Sequence, residues 1–167
     1  EGPTWKKLSE AARKNDIILI AGSIPEFDQG KIYNTAFVFD RNGNQLGKHR
    51  KAHLFDIKIK NGQYFKESDT LASGDKATVI SSEFGKIGIA ICYDFRFPEL
   101  SRKMVMQGAR MIIVPGAFNM TTGPAHWEIL FRQRAVDNQV YCIGVAPARD
   151  KNGEYISYAN SIVTSPW

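Results

Sequence analysis

The sequence predicts an α/β fold, in which buried strands alternate with helices and some strands pair as hairpins. Two apolar runs, residues 17–21 and 87–91, have the length and β-branched content of buried strands. Residues 4–15 carry apolar residues at helical spacing with lysine and arginine opposite them, which is typical of an amphipathic helix. An Asn-Gly turn within residues 41–44, between two apolar segments, predicts a hairpin.

The remaining elements follow along the chain in the same way. Strands are predicted at residues 17–21, 31–40, 45–51, 78–82, 86–91, 109–114, 139–146 and 158–164. Helices are predicted at residues 4–15, 98–107 and 126–137; the second has proline in its first turn and a glycine after its end. Residues 22–30, 52–75, 115–124 and 149–153 are predicted as loops or turns. The stretch 52–75 is the longest without periodicity, which favours a functional loop.

The length and composition of the chain are those of one ordinary domain. The chain has 167 residues, of which 43% are apolar, enough for a core without disulfide or metal support. It has neither a long apolar run nor the apolar centre of a signal peptide, so we expect a cytoplasmic protein with no membrane partner. The net charge of +5 is spread over scattered basic residues, which favours a site for a small anionic substrate over nucleic acid.

The two cysteines have different surroundings. Cys142 lies in an apolar strand without charged neighbours, and we interpret it as a core residue. Cys92 ends the 87–91 strand, and a side chain in that position of an α/β sheet faces the crevice where ligands bind. A buried core thiol is the alternative interpretation. Asp94 and Arg96 weigh against it, because charged neighbours are costly in a closed core.

Residues 88–100 read G-x-x-x-C-Y-D-x-R-F-P-E-L, which resembles the cysteine-nucleophile motif of the nitrilase (carbon–nitrogen hydrolase) superfamily. The resemblance continues to residue 167, and residues 118–128 and 135–139 look most like the ω-amidase branch. It implies an αββα sandwich that forms homodimers or higher homo-oligomers. Because the family continues in both directions, we expect residues 1–167 to be the central part of a single hydrolase domain, incomplete at both ends.

The resemblance also implies catalytic residues. Cys92 matches the nucleophile, Lys51 the lysine, and Glu67 a second glutamate, with the backbone N–H of Tyr93 as an oxyanion donor. Lys51 would lower the pKa of the thiol and stabilise the oxyanion, and Glu67 would hold the ammonium in place. The family's general-base glutamate lies upstream of the first helix, outside this chain. Without the resemblance, Lys51 and Glu67 would be interpreted as ordinary solvated charges.

Substrate recognition is predicted in the loop after the 109–114 strand, on the crevice side with Cys92. The candidate residues of this loop are Phe118, Asn119, Met120, Thr121 and Thr122. Arg96 is a candidate for binding a carboxylate, and the alternative for it is an ion pair with Asp94 or Glu128. No metal site is expected, because the three histidines do not converge in the sequence.

The expected activity is that of a thiol-dependent amidohydrolase. It would release ammonia from the ω-amide of short dicarboxylate monoamides, such as 2-oxoglutaramate and 2-oxosuccinamate, through a cysteine thioester and without a cofactor. Two alternatives remain open. One is another amidase of the superfamily, acting on deaminated glutathione, a carbamoyl amine, or an aliphatic amide or nitrile. The other is a non-catalytic interaction module of the same fold.

Overall fold

The computed structural model describes residues 2–58 and 64–167, which fall into two units, Glu1–Lys76 and Ala77–Trp167. The helices are α1 (Pro3–Asn15), α2 (Pro98–Met106) and α3 (Thr122–Asn138), with short 3₁₀ helices at Glu67–Asp69 and Cys92–Arg96. The strands are β1 (Leu19–Asp28), β2 (Lys31–Phe39), β3 (Gln45–Arg50), β4 (Asp56–Lys58), β5 (Tyr64–Lys66), β6 (Thr78–Ser82), β7 (Gly85–Ile89), β8 (Met111–Pro115), β9 (Tyr141–Val145) and β10 (Ile162–Thr164). No helix in this described part is long and apolar enough to cross a bilayer.

The first unit is an antiparallel sheet in the order β1-β2-β3, covered by α1. The apolar face of the helix packs on the sheet in a cluster with Ala12, Ala21, Phe37 and Phe39 at its centre. The rings of Trp5 and Phe39 meet edge to face with centroids 5.3 Å apart. The amphipathic helix predicted at residues 4–15 is confirmed and begins one residue earlier, at Pro3, where proline suits a first helical turn.

Strand β1 is longer than the sequence indicated. The loop predicted at residues 22–30 is wrong, because β1 pairs with β2 as far as Asp28. A register shift between Ala21 and Ser23 marks a bulge, which lets Gly22, at φ 32°, interrupt the ladder without ending it. Pro25 is tolerated because β1 lies at the sheet edge, where its missing N–H breaks no essential bond.

The stretch predicted as irregular, residues 52–75, contains short elements. Strands β4 and β5 pair antiparallel, with Asp56 opposite Lys66, and the 3₁₀ helix Glu67–Asp69 follows. Three-residue strands are too short to show a period of two, so hydrophobic periodicity cannot predict them. Residues 59–63 of this stretch lie outside the described residues.

The second unit is a five-stranded sheet in the order β10-β9-β8-β7-β6. Its three central strands are parallel, and β6 and β10 pair antiparallel at the edges. Helices α2 and α3 bury Met104, Trp127 and Phe131 against the sheet. Cys142 lies in the same core, fully buried, and burial raises the pKa of its thiol to about 12. The prediction that Cys142 is a core residue is confirmed.

Helix α3 begins earlier than predicted. Residues 115–124 were expected to form a loop, but the helix starts at Thr122. Asn119 Oδ1 accepts hydrogen bonds from the backbone N–H groups of Thr121 and Thr122, at 3.1 and 2.8 Å. Pro124 fits in the first turn, since the first N–H groups of a helix have no intrahelical acceptor.

Gly144 in β9 lies beneath two core rings, and its replacement by alanine is expected to destabilise the fold. A Cβ at this position would lie 2.6 Å from Phe131 Cζ and 2.7 Å from Trp127 Cζ2. We expect Gly144→Ala to cost about 1–3 kcal/mol of unfolding free energy. Gly153→Ala is the control, because its Cβ would meet nothing closer than 3.6 Å. Denaturant unfolding compares the two, and equal midpoints would contradict this account of the packing.

Candidate active site

Cys92 lies in a sharp turn between strand and helix. Strand β7 ends at Ile89, and the 3₁₀ helix Cys92–Arg96 begins at the cysteine itself. Cys92 has φ 47°, a left-handed conformation that costs a non-glycine residue roughly 1–3 kcal/mol. Such strain persists where surrounding contacts hold it, and a strained strand-to-helix turn presents the nucleophile in many hydrolases.

Asp94 holds this turn in place. Its Oδ2 accepts a hydrogen bond from the backbone N–H of Ile91 at 3.0 Å, while its own N–H donates to the Ile91 carbonyl at 3.0 Å. The Asp94 carbonyl accepts from the N–H of Phe97 at 3.1 Å. Asp94 is fully buried, so its carboxyl group bonds within the turn rather than to solvent. These contacts explain how a buried acidic residue is accommodated two positions after Cys92.

Gly116, directly after β8, packs against the nucleophile candidate. A Cβ on Gly116 would lie 3.2 Å from Cys92 Cα and 3.4 Å from Cys92 Cβ. The Gly116 N–H donates to the Val145 carbonyl at 2.9 Å, which holds the loop to β9. The sequence placed the loop after this strand on the same side as Cys92, and the structure brings its first residue into contact with Cys92.

The predicted substrate-binding residues of this loop have different surroundings. Phe118 is 6% exposed and packs edge to face on Trp127, with centroids 5.0 Å apart, so most of its surface belongs to the core. Asn119 Oδ1 is already bonded to the start of α3, including Thr122 Oγ1 at 3.0 Å. Met120 is 44% exposed and Thr121 is also exposed. Met120 and Thr121 therefore present the most surface to a ligand.

Arg96 lies beside the same loop. Its guanidinium is 5.0 Å from the centroid of the Phe118 ring, and its Nη1 lies 3.1 Å from His126 Nδ1. Glu128, one alternative partner predicted for Arg96, pairs instead with Arg132 at 3.1 Å among the described residues. The structure thus places the Arg96 guanidinium beside the loop after β8, the loop whose first residue contacts Cys92.

Lys51 and Glu67 form a buried ion pair in the first unit. Lys51 Nζ donates to both carboxylate oxygens of Glu67, at 2.8 and 2.6 Å, and the two side chains are 2% and 13% exposed. The backbone N–H of Phe55 also donates to Glu67 Oε2 at 2.7 Å. The structure brings Lys51 and Glu67 together as the sequence predicted. Their catalytic roles, and those of Cys92 and Tyr93, stay predictions.

The backbone around Lys51 is held at both its polar groups. The Lys51 N–H donates to the Asn34 carbonyl and the Lys51 carbonyl accepts from the N–H of Gly74, both at 2.8 Å. Gly74 lies directly against Arg50, and a Cβ there would collide with the Arg50 carbonyl. These two bonds hold the Lys51 main chain to β2 and to residue 74.

Tyr155 is a neighbour of Cys92 that the sequence did not reveal. Its hydroxyl donates to the Ala117 carbonyl at 2.5 Å. Burial, together with the charge of the Cys92 thiolate, raises the pKa of the Tyr155 phenol. The Tyr158 N–H donates to the Phe118 carbonyl at 2.7 Å, which holds the Tyr155 segment against the loop after β8. No local pattern in a turn-rich segment indicates such a contact, because it depends on tertiary packing.

The candidate reactive groups are the Lys51–Glu67 ammonium–carboxylate pair in the first unit, and the Cys92 thiol and the Arg96 guanidinium in the second unit. No group of three or more histidine, cysteine, aspartate or glutamate side chains in residues 2–58 and 64–167 is arranged to hold a metal ion. His126 contacts Arg96, and His49 is fully buried in β3.

Comparison with known proteins gives a consistent result. The profile of the family described as Carbon-nitrogen hydrolase matches residues 1–167. "Nitrilase homolog 2" from Dictyostelium discoideum is 53% identical over 169 residues, covering 100% of this chain and 52% of that protein. "Omega-amidase NIT2" from Mus musculus is 50% identical over 166 residues, covering 99% of this chain and 60% of that protein.

A solved structure is also similar. Nit3 from Saccharomyces cerevisiae, described as a member of branch 10 of the nitrilase superfamily, matches with a TM-score of 0.88 at 47% identity. The match covers 98% of this chain and 57% of that chain. The chain therefore spans between half and three fifths of the length of these relatives.

Proposed function

Because the chain belongs to the carbon-nitrogen hydrolase family, we propose that the protein is a thiol-dependent amidase with Cys92 as its nucleophile. The observation that carries the proposal is the strained, half-buried position of Cys92, at φ 47° in a strand-to-helix turn. A structural cysteine needs no such conformation, as Cys142 in the middle of β9 illustrates. We take residues 1–167 as part of a single hydrolase domain, in a cytoplasmic homodimer or higher homo-oligomer.

The mechanism that we propose has two steps. The Cys92 thiolate attacks the amide carbonyl carbon, and the tetrahedral intermediate collapses as its C–N bond breaks and the nitrogen leaves, protonated, as ammonia. Water then attacks the resulting thioester, which releases the acid and returns the thiol. The proton transfers belong to a general base that we place upstream of residue 1, by resemblance to the family.

Lys51 and the backbone N–H of Tyr93 have electrostatic roles in this proposal. A buried ammonium is well suited to stabilise the oxyanion of the tetrahedral intermediate, because water screens it little. Glu67 keeps that ammonium charged and fixed, which its two short bonds to Lys51 Nζ support. Tyr93 directly follows the nucleophile, the position from which hydrolases often donate an oxyanion N–H.

The substrate class that we propose is the short dicarboxylate monoamide, such as 2-oxoglutaramate or 2-oxosuccinamate. Similarity to a protein named as an omega-amidase supports this class, and so does the Arg96 guanidinium beside the loop after β8. Arginine binds carboxylates through two parallel N–H groups, so Arg96 suits the carboxylate at the far end of the substrate. Phe118, Met120, Thr121 and Thr122 would form the wall of this subsite, and Asn119 would shape it by capping α3.

Arg96→Gln is expected to separate binding from chemistry in the complete gene product. For 2-oxoglutaramate we expect KM to rise about tenfold or more, because the variant loses a charge-assisted pair of hydrogen bonds. For butyramide, which has no carboxylate, we expect little change. Ammonia release gives both constants, and Arg132→Gln, on the exposed face of α3, is the control. Equal losses on both amides would contradict a carboxylate site at Arg96.

Another amidase of the family is the second candidate. The observation that favours it is the similarity to a nitrilase homolog and to Nit3, whose names state no substrate. A wild-type protein that releases ammonia from deaminated glutathione, a carbamoyl amine or an aliphatic amide, and not from 2-oxoglutaramate, would support this candidate and exclude the first.

A further inference from the structure

The basic residues at the end of β3 alternate between two environments. Lys48 and Arg50 lie on a partly exposed face, whereas His49 and Lys51 are buried, at 0% and 2% exposure. Because successive side chains of a strand point to opposite faces, a slip of one residue would exchange the two sets. Lys51 therefore meets Glu67 in only one register of β3.

The pairing of β2 with β3 is regular at the end of β3 and irregular at its start. The ladder contains a shift between Val38 and Phe39, so a one-residue irregularity is already accommodated near the start of β3. A one-residue slip at the other end of β3 would also be favoured electrostatically. It would bring Arg50, a longer cation with a planar fork of donors, to the Glu67 carboxylate.

Glu26, on β1, bonds to the end of β3 across β2. Arg50 Nε donates to Glu26 Oε2 at 2.9 Å and Arg50 Nη2 donates to Glu26 Oε1 at 3.0 Å, a bidentate pair. Thr35, which is fully buried and lies opposite Arg50 in the ladder, donates its hydroxyl to Glu26 Oε2 at 2.8 Å. Lys48 Nζ also bonds to Glu26 Oε1. One carboxylate thus binds three side chains from β2 and β3.

The Arg50 guanidinium is fixed on a second side. It lies 4.0 Å from the centroid of the Tyr33 ring, and Tyr33 is opposite Glu26 in the β1–β2 ladder. Arg50 Nη2 also donates to Asp28 Oδ2 at 2.6 Å, but Asp28 is 44% exposed and Glu26 only 13%. Burial opposes ionisation of Glu26, but the bonds from Arg50, Lys48 and Thr35 prevail and lower its pKa to about 2. Glu26 is therefore a permanent anion at neutral pH.

We propose that Glu26 is a positioning residue: by holding Arg50, it locks the register of the β3 end so that Lys51, not Arg50, faces Glu67. The inference rests on the proposed function in treating Lys51 as a catalytic group. The lock extends to the Glu67 loop, since the Lys51 carbonyl accepts from Gly74 and the Ile32 carbonyl accepts from the N–H of Ala72 at 2.7 Å. Glu26 itself acts only through Arg50 and Lys51.

Kinetics of the complete gene product test the lock. In Glu26→Gln we expect kcat for the best amide substrate to fall roughly tenfold to a hundredfold with KM little changed, because misplaced catalytic groups lose rate rather than binding. Adding Arg50→Gln should restore kcat to within about threefold of wild type, because a slip then brings no cation to Glu67. Asp28→Asn is the matched control, with kcat unchanged.

A normal kcat in Glu26→Gln would overturn the proposal. A double variant as impaired as the single one would also overturn it, because it would indicate a merely structural role. Arg50→Gln alone covers the case in which Glu26→Gln does not fold. It leaves Glu26 bonded to Lys48 and Thr35, and it should keep kcat within about threefold of wild type. A large loss in that variant would also overturn the proposal.

Amide hydrogen exchange tests the lock without any activity. Exchange at the N–H groups of Lys51 and Gly74 should be faster in Glu26→Gln than in wild type, and unchanged in Asp28→Asn. A wild-type protein inactive on every amide would refute the proposed function while leaving this readout intact. Unchanged exchange in Glu26→Gln would refute the lock, whatever the activity.

Discussion

In the complete protein, replacing Cys92 by alanine is expected to lower the rate of ammonia release from 2-oxoglutaramate roughly 10³-fold or more. The physical reason is that no other group in the proposed mechanism can form the thioester. The fold should survive, because alanine adopts the same backbone conformation about as well as cysteine and adds no volume. Far-UV circular dichroism and the denaturant midpoint would establish that the variant is folded.

Cys142→Ala is the matched control for this experiment. Its thiol is fully buried, so we expect a loss of about 1 kcal/mol of stability and unchanged turnover. Iodoacetamide should modify Cys92 alone in the folded protein, because thiolates react and burial raises the pKa of Cys142 to about 12. Activity that survives in Cys92→Ala would exclude Cys92 as nucleophile. An inactive, folded wild type with an unreactive Cys92 would favour the interaction module.

Glu67→Gln is expected to have the second largest effect, because it acts on both stability and rate. It leaves the Lys51 ammonium, 2% exposed, without an anionic partner. Breaking a buried pair in this way typically costs about 3–5 kcal/mol. We also expect kcat to fall about a hundredfold, since the ammonium is no longer held where the oxyanion forms. Denaturant unfolding and ammonia release measure the two losses.

Two further variants serve as controls for Glu67→Gln. Glu128→Gln breaks the Arg132–Glu128 pair, whose side chains are 71% and 66% exposed, and should cost at most about 0.5 kcal/mol. The double replacement of Lys51 by methionine and Glu67 by leucine should recover most of the stability but none of the activity, because apolar pairs of similar volume often replace buried ion pairs well. A stable and active Glu67→Gln protein would contradict the role given to the pair.

The family motif around Cys92 carried most of what the sequence could predict. The nitrilase-superfamily α/β fold is confirmed by the family match and by the structure of Nit3. Helix α1 and the strands around the Asn-Gly turn were predicted because their patterns are local. The full length of β1 was missed because Gly22 and Pro25 indicate a loop until pairing with β2 is known. The hydrophobic pattern of a segment does not predict an element that forms only through pairing with another strand.

The candidate site was predictable to the same extent. Lys51 and Glu67 were predicted as catalytic residues by resemblance, which stays a prediction, and their pairing at 2.6 Å is what opposite charges in a buried place favour. The contacts of Tyr155 with Ala117 and of Glu26 with Arg50 were not predicted, because they join residues that are far apart in the sequence. No spacing in the sequence specifies such contacts.

The backbone around Cys92 also offers a way to find the site without any motif. The non-glycine residues with positive φ in the described part of the chain are Asp16, Gln29, Cys92, Gln139, Ala159 and Asn160. Asp16 and Gln139 end helices, a position that favours this conformation, and Gln29 lies in the β1–β2 turn. Cys92 instead begins a helix, where local preference opposes it. Cys92 is the one cysteine among these described positive-φ residues and the candidate nucleophile, and the same search for a strained main chain could be applied to relatives whose sequence motif has diverged beyond recognition.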